Sequence, residues 1–332
     1  MTENNGDRPL VTFALIAYNQ ERFIREAVEG AMAQTYSPLQ LILSDDSSSD
    51  RTFEIMQEML ADYVGPHEIL VNRNESNLGI GAHINRVMEL VEGELIVGGA
   101  GDDVSLPNRV TDMVNAWVEK GKPHVSIFSS YFEIDAESIL IGEKKYPLHY
   151  VRKLQNPEKM VRYGYGVVGA THAWSKSLFD YFGPINNNVV YEDIVIPLRA
   201  ALIGQVVYID KSLVKYRTNV STWHDHKGIP ESLEEQLRRT RKITILGYAN
   251  VMQMLRDIAL TERTDLIFCA QARMAESVLA LKITENWRVT FVDFMRAIGS
   301  GAGVRYSIRI CMKCFFPNVY WWFTRQRISR KL

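Results

Sequence analysis

Cysteine is scarce in this chain: of 332 residues only Cys269, Cys311 and Cys314 carry a thiol. That excludes a disulfide framework and fits a reducing compartment. Cys311 and Cys314 form a lone CxxC with no second pair, for which ordinary helix packing is a simpler reading than metal or redox chemistry. No run approaches the roughly 18 apolar residues of a bilayer span; the longest uncharged stretch near the C-terminus is CFFPNVYWWFT. The opening MTENNGDRPL has neither a positive n-region nor an apolar h-region, so no secretory signal is expected. A net charge of −1 gives no support for nucleic-acid binding by the whole chain. Also missing are a GxGxxG after the first apolar run and a GxxxxGK[ST] anywhere, which leaves no dinucleotide fingerprint and no Walker loop. NLGIG, at 77–81, has only two glycines.

What is present is a core-forming composition, 46% apolar, arranged as short apolar runs alternating with helical periodicity. LVTFALIAY, LQLILS, HEILVNRN, ELIVGG and VSIFSSYFEID read as strands. Between them, ERFIREAVEGAMAQT, the stretch after DDSSSD with Ser49 or Asp50 as N-cap, AHINRVMELVEG ended by Gly93, and NRVTDMVNAWVEKG opened by Pro107 read as helices. The pattern is that of a doubly wound, mostly parallel α/β sheet. KKYPLHYVRKLQNPEK reads as a surface connection, after which GVVGATHAWSKSLFDYFGP, YEDIVIPLRAALIG and QVVYIDKSLVKYR resume the order. From Pro230 onward the pattern is helical, which places a boundary near Gly228, between an α/β domain at 1–228 and a helical region at 229–332.

Three acidic clusters fall at expected strand ends or helix starts: Asp45-Asp46 after the second strand, Asp102-Asp103 after the fourth, and Glu192-Asp193. Glu192 should open a helix, because Pro197 is tolerable only in a first turn. Each cluster alone reads as helix capping. Together, at the edge where open parallel sheets bind ligands, carboxylates gathered without Lys or Arg repel one another unless a cation or proton is shared. Mg2+ or Mn2+ held by one or two carboxylates and substrate phosphates resolves that repulsion.

The segments from Pro9 to about Arg217, in order, resemble the family 2 glycosyltransferases: PLVTFALIAYNQERFIREAVEGAMAQTY, LQLILSDDSSSDRT, NLGIGAHINRVMELVEGELIVGGAGDDVSLPNRV, SIFSSYFEIDAESILIG and YEDIVIPLRAALIGQVVYIDKSLVKYR. The resemblance implies an inverting enzyme of the GT-A fold, Rossmann-like, using a nucleotide-activated sugar. Position by position, it implies that Ala17, Tyr18 and Asn19 contact the nucleobase and that Asp46, with its neighbour Asp45, binds base or ribose. Asp102 and Asp103 correspond to the family's metal and ribose carboxylates: both are metal candidates, with Asp103 the favoured ligand and Asp102 toward the ribose. Asp193 becomes the catalytic base, with Glu192 the neighbouring candidate. The chain departs from the family in three places. Ala100 stands where a further carboxylate is frequent, HIN at 83–85 replaces an ARN and leaves Asn85 as the nucleotide-sugar contact there, and no histidine closely follows Tyr216-Arg217. His224 and His226 arrive later, in a WHDH that reads as a solvated loop.

The C-terminal stretch from Arg305 carries seven Lys or Arg and no acid, leaving 31 basic against 39 acidic side chains, −8, on residues 1–304. With Trp321, Trp322 and Phe323 beside Arg325, Arg327, Arg330 and Lys331, residues 304–332 suit an interfacial segment on an anionic leaflet. The resulting expectation is a cytoplasmic enzyme, peripheral on the inner face of the plasma membrane and compatible with a homo-oligomer. It would move a sugar from a UDP- or dTDP-linked donor to a saccharide, such as a polyprenyl-diphosphate-linked one, in cell-surface polysaccharide (O-antigen type) assembly. A nucleotidyltransferase and a non-catalytic sugar-nucleotide-binding scaffold are the competing readings; IAYNQERF offers no triphosphate loop for the former.

Overall fold

A computed structural model describes residues 8–218, 233–284 and 290–299. Gly228, His224, His226, Cys311, Cys314 and the basic aromatic stretch 304–332 lie outside the described residues.

Strands and helices alternate at first as the periodicities predict: β1 (Val11–Ala17), α1 (Ile24–Met32), β2 (Leu39–Asp45), α2 (Thr52–Ala61), β3 (Glu68–Arg73), α3 (Ile80–Leu90) and β4 (Leu95–Ala100). A short β5 (Val104–Ser105), α4 (Arg109–Glu119), β6 (Val125–Ile134) and β7 (Leu140–Lys144) follow. Then come α5 (Leu148–Leu154), α6 (Pro157–Tyr163), β8 (His172–Ser175), α7 (Ser177–Phe182), α8 (Glu192–Ile203) and β9 (Gln205–Arg217). The chain continues through α9 (Leu233–Ala259), α10 (Ile267–Thr284) and α11 (Phe291–Gly299), all helical as expected.

One sheet in the order β3-β2-β1-β4-β8-β6-β9-β5, with β7 on β6, organises the fold. β1 pairs in parallel with β2 and β4, β2 with β3, and β6 with β9, while β8, β5 and β7 run antiparallel to their neighbours. Alternation along β1 explains why both faces are covered: Val11, Phe13, Leu15 and Ala17 point into one apolar layer and Ala14 into the other. α1 buries Ile24, Ala27, Val28 and Ala31, one face of a helix at i, i+3, i+4 and i+7. Each such aliphatic side chain removed from water contributes about 1.5–3 kcal/mol.

Two expectations are corrected. The segment read as a surface connection folds as β7's end, α5 and α6, whose Val151, Leu154, Met160 and Val161 are buried in the main core. These amphipathic pieces are too short for a periodicity to stand out. Pro197 is the sixth residue of α8 rather than part of its first turn, although the helix does start at Glu192.

The helices after β9 share the sheet's core. Met254 and Ile258 of α9 and Cys269 and Ala270 of α10 lie in the same apolar cluster as Phe128 and Ile196. Arg199 of α8 and Asp257 of α9 form a fully buried two-pronged ion pair, Nε to Oδ2 at 2.9 Å and Nη2 to Oδ1 at 3.1 Å.

Candidate active site

The parallel register aligns the exits of three strands. Ala17 pairs with Asp45 and Ile16 with Ala100, so β1, β2 and β4 end along one edge. The chains leaving β2 and β4 are both tied to β1: Asp46 N–H donates to Ala17 O at 2.9 Å and Gly101 N–H to Ile16 O at 3.0 Å. A side chain on Gly101 would run into Gln20 Oε1 and the Ala17 methyl, which is why the acidic turn begins with glycine.

The first cluster is internally saturated. Asn19, at φ 53°, donates its N–H to Ser48 Oγ at 2.8 Å and accepts the Ser49 N–H on Oδ1 at 2.8 Å. Asp45 is fully buried, accepting from the N–H and hydroxyl of Ser48, with Arg73 Nε at 3.5 Å. Asp46 accepts from Asn74 Nδ2 at 2.8 Å and from the N–H groups of Leu78 and Gly79, each at 2.9 Å. Its carboxylate thus holds the NLGIG loop to the end of β2, leaving Tyr18, 40% exposed, as the most open side chain of the group. Asp50 Oδ1 accepts the Thr52 N–H at 3.0 Å, but the N-cap position of α2 is Arg51 rather than the expected Ser49 or Asp50. Asn85 of α3 spends both ends of its amide on the loop before α8, donating to Ile185 O at 2.7 Å and accepting the Ile185 N–H at 3.0 Å. Its neighbour Ile84, in the place of the family's arginine, is a core residue.

The second cluster rests on two buried arginines. Arg217 closes β9 and donates its backbone N–H to Asp103 Oδ1 at 2.7 Å, Nε to Asp102 O at 2.9 Å, and Nη1 to Asp135 O at 3.0 Å and Ser138 Oγ at 2.8 Å. Arg109, wholly buried at the start of α4, donates to Ser105 Oγ at 2.8 Å and Gly98 O at 2.6 Å, and desolvation brings its pKa down to about 9. Burial pushes the carboxyl of Asp103 well up, with Asp102 adding to it and the two arginines opposing. Asp102, less buried, is raised as well, by desolvation first.

The third cluster opens α8. Burial raises Glu192 to about 8 and Asp193 to about 7, with the Asp193 charge adding to the shift on Glu192. Pro197 has no N–H to donate to the carbonyl four residues back. That carbonyl, Asp193 O, takes the N–H of Val167 instead, at 3.0 Å. Asn250 of α9 grips the approach to the pair, donating to Tyr191 O at 2.7 Å and accepting the Val190 N–H at 3.3 Å.

Asp103, Asp102 and Asp193 all lie within electrostatic reach of Tyr216 and, after burial, help raise its hydroxyl above its ordinary value. One premise is corrected: the clusters are not free of cations, since Arg73, Arg109 and Arg217 arrive from distant parts of the chain. Repulsion alone therefore does not require a metal at Asp102-Asp103. Among the described residues no three His, Cys, Asp or Glu side chains are gathered to hold an ion by themselves. The donor set does fit the alternative, one or two carboxylates completed by phosphate oxygens, because Asp103 is held in orientation by a backbone hydrogen bond as metal ligands usually are. Arg217, Arg109 and Asn250 escape sequence reasoning as site residues: only the Tyr216-Arg217 match hinted at one of them. A cavity of about 670 Å3 between α9, α10 and α11, lined by Leu255, Phe268, Val278 and Leu279 among others, contains none of these acids. No helix among the described residues is long and apolar enough to cross a membrane.

The chain is similar to several known proteins. EpsE of Bacillus subtilis is 34% identical over 117 residues, 35% of this chain and 40% of that protein. An uncharacterized glycosyltransferase of Methanocaldococcus jannaschii is 27% identical over 152 residues, 44% of this chain and 51% of that one. The chain thus spans about half the length of the curated relatives it matches. Among solved structures, S. aureus TarS 1-349 in complex with UDP-GlcNAc superposes with a TM-score of 0.56 at 14% identity, over 91% of this chain and 90% of that one. The mannosyltransferase PcManGT of Pyrobaculum calidifontis, in complex with GDP-Man and Mn2+, gives 0.56 at 14% identity, over 98% and 86%. These likenesses are of fold, the GT-A-like α/β arrangement. Residues 12–175 match the model of glycosyl transferase family 2, the stretch that runs from β1 to the end of β8 and holds the first two acidic clusters, so this part of the chain is a glycosyl transferase family 2 domain.

Proposed function

We propose that this protein transfers a sugar, with inversion, from a nucleoside-diphosphate sugar to a saccharide hydroxyl. The single observation that carries the reading is Asp193: a carboxyl raised to about 7 by burial, poised near operating pH as a general base should be. Like Asp102 and Asp103, it lies within electrostatic reach of the Tyr216 hydroxyl. Asp193 would take the acceptor hydroxyl's proton. The acceptor oxygen bonds to the anomeric carbon from one face while the carbon–oxygen bond to the diphosphate breaks on the other, and the bonding pair leaves with the diphosphate. A bound Mn2+ or Mg2+ would supply Lewis-acid stabilisation of the departing charge. Asp103, oriented by Arg217, would be its ligand, with Asp102 toward the ribose and Tyr18 beside the base.

In this reading 1–228 is the catalytic unit and 229–332 its helical partner. The acceptor is a membrane-anchored saccharide of surface-polysaccharide assembly, reached through the basic stretch 304–332 at the cytoplasmic face of the membrane. UDP- and dTDP-sugars are the donors to screen. Specific binding raises the melting temperature, so a donor screen with Mn2+ and Mg2+ tests the reading, and no shift with any nucleotide sugar counts against it. Asp193→Asn should keep the donor shift and lose turnover by about 10² to 10⁴-fold; unchanged turnover removes Asp193 from the chemistry. Asp103→Asn should abolish the metal-dependent part of the shift.

A further inference from the structure

The segment Tyr163–Gly169, YGYGVVG, leaves α6 through Gly164 at φ +68° and crosses the first turn of α8. Gly166 is demanded by that crossing, and Gly164 by its positive φ. A Cβ on Gly166 would stand 2.6 Å from Asp193 O, and one on Gly169 3.0 Å from Glu192 Oε1. Two tyrosines hold it: Tyr150 of α5 donates its hydroxyl to Gly166 O at 2.9 Å, and Tyr146, just before α5, accepts the Val168 N–H at 3.0 Å.

Aromatic rings lead outward from this crossing. Tyr150 meets Tyr165 edge to face at 5.5 Å between centroids, and Tyr165 meets Tyr163 at 5.7 Å. The inner end is electrostatically in touch with the acid pair, for the Asp193 charge adds to the burial that raises Tyr150 and Tyr191. The outer end is open: Tyr163 is 62% exposed. Nothing in the packing of the fold calls for a large aromatic there, at the last residue of a seven-residue helix. The nearby charges are spoken for, with Arg162 paired to Glu158 at 3.0 Å and Lys153 Nζ lying over the Tyr165 ring at 5.0 Å.

A pyranose ring has an apolar C–H face and a rim of hydroxyls, and tyrosine offers the matching partner, a flat apolar body with a polar tip. We infer that Tyr163 and Tyr165 form the acceptor platform, stacking a sugar ring of the acceptor so that a hydroxyl of its terminal residue reaches Asp193. This inference rests on the glycosyltransferase reading above and adds to it the place and chemistry of acceptor recognition. It also assigns the glycines of the YGYGVVG segment a purpose, bringing the platform against the base.

The test uses the full chain with UDP and Mn2+, and neutral disaccharides as probes: cellobiose, lactose, maltose and N,N′-diacetylchitobiose. Affinity is read by saturation-transfer NMR. At least one probe should bind the wild type with its C–H face protons most saturated. Tyr163→Ala should weaken that binding by about tenfold or more, a loss of about 1.4 kcal/mol, whereas Tyr163→Phe keeps most of it. Equal affinity of Tyr163→Ala and wild type, or no binding of any probe, overturns the platform. An unchanged melting temperature of both variants confirms that the comparison is between folded proteins, and Tyr165→Leu repeats it should Tyr163→Ala melt early. The thermal shift with UDP and nucleotide sugars separates the two ideas: its absence sinks the glycosyltransferase reading, and its presence with indifferent tyrosine variants sinks only the platform.

Discussion

Arg217 donates its main-chain N–H to Asp103 Oδ1 at 2.7 Å while its guanidinium holds the carbonyl of Asp102 at 2.9 Å, so one residue orients both members of the acidic pair. The same guanidinium reaches Ser138, Asp135 and, at 3.2 Å, Glu26 of α1. Arg217→Ala leaves several buried acceptors without a donor, and each such loss costs about 1–3 kcal/mol. We expect the variant to lose at least about 3 kcal/mol, read as a lower urea midpoint at unchanged slope. A midpoint equal to that of the wild type would remove Arg217 from this role.

Activity should follow the protonation of the pair at the start of α8. As the proposed base, Asp193 would act only when unprotonated, and burial raises its carboxyl to about 7. Turnover should therefore rise with pH through neutrality, and, because Glu192 at about 8 titrates alongside it, the rise belongs to the pair jointly. Glu192→Gln should sharpen the profile to a single step at lower pH, since the neighbouring acid no longer competes. A flat kcat between pH 5 and about 9 would contradict the assignment.

Stability should respond in the opposite sense. The ordinary values are 4.5 for Glu192 and 3.8 for Asp193, and both are raised in the folded state. The folded chain then binds protons more tightly than the unfolded one, so their contribution is full below about pH 4 and is lost as pH rises through about 7 to 8. His172, lowered to about 3 by burial and by Arg109, works against this on the acid side, losing stability as pH falls below 6.5. Melting temperatures across pH 4.5 to about 9 should decline up to about pH 8 and then level off as far as this pair is concerned, and the Glu192→Gln variant should reduce that decline. An identical decline in that variant would show that the pair is not the source.

Two glycine replacements separate close approach from backbone propensity. Gly166→Ala places a methyl group 2.6 Å from the Asp193 carbonyl, whereas a methyl group at Gly142 meets nothing within 4 Å. The first should cost about 1–3 kcal/mol and depress turnover with it, and the second should lie within about 0.5 kcal/mol of wild type. Calorimetric melting of both variants checks this, and a harmless Gly166→Ala would mean the crossing is looser than the contacts imply.

The sheet and the acids were legible in the sequence for local reasons. Apolar runs such as LQLILS and ELIVGG are buried on both faces, and the carboxylates fall directly at their ends. The partners of those acids were not legible, because a single arginine at 109 or 217 looks like any surface arginine until the fold buries it. Asn250 lies 57 residues after Asp193 in the chain, and no periodicity links a helical amide to the mouth of another helix. Pro197 misled in a useful way: it sits beyond the first turn because the Val167 N–H replaces the bond it removes.

The ion pair between Arg199 and Asp257, wholly enclosed at the junction of α8 and α9, bears on how such a protein can change over evolutionary time. Removing one partner of an enclosed pair costs about 3–5 kcal/mol, a large part of a typical domain's stability. A recombination event that exchanged the helices after β9 for those of another lineage would strand the Arg199 guanidinium on α8 unless the incoming segment carried an acid at the same point. The two halves are therefore expected to be inherited together, and chimeras joined near residue 228 should express only when both members of the pair come from one parent.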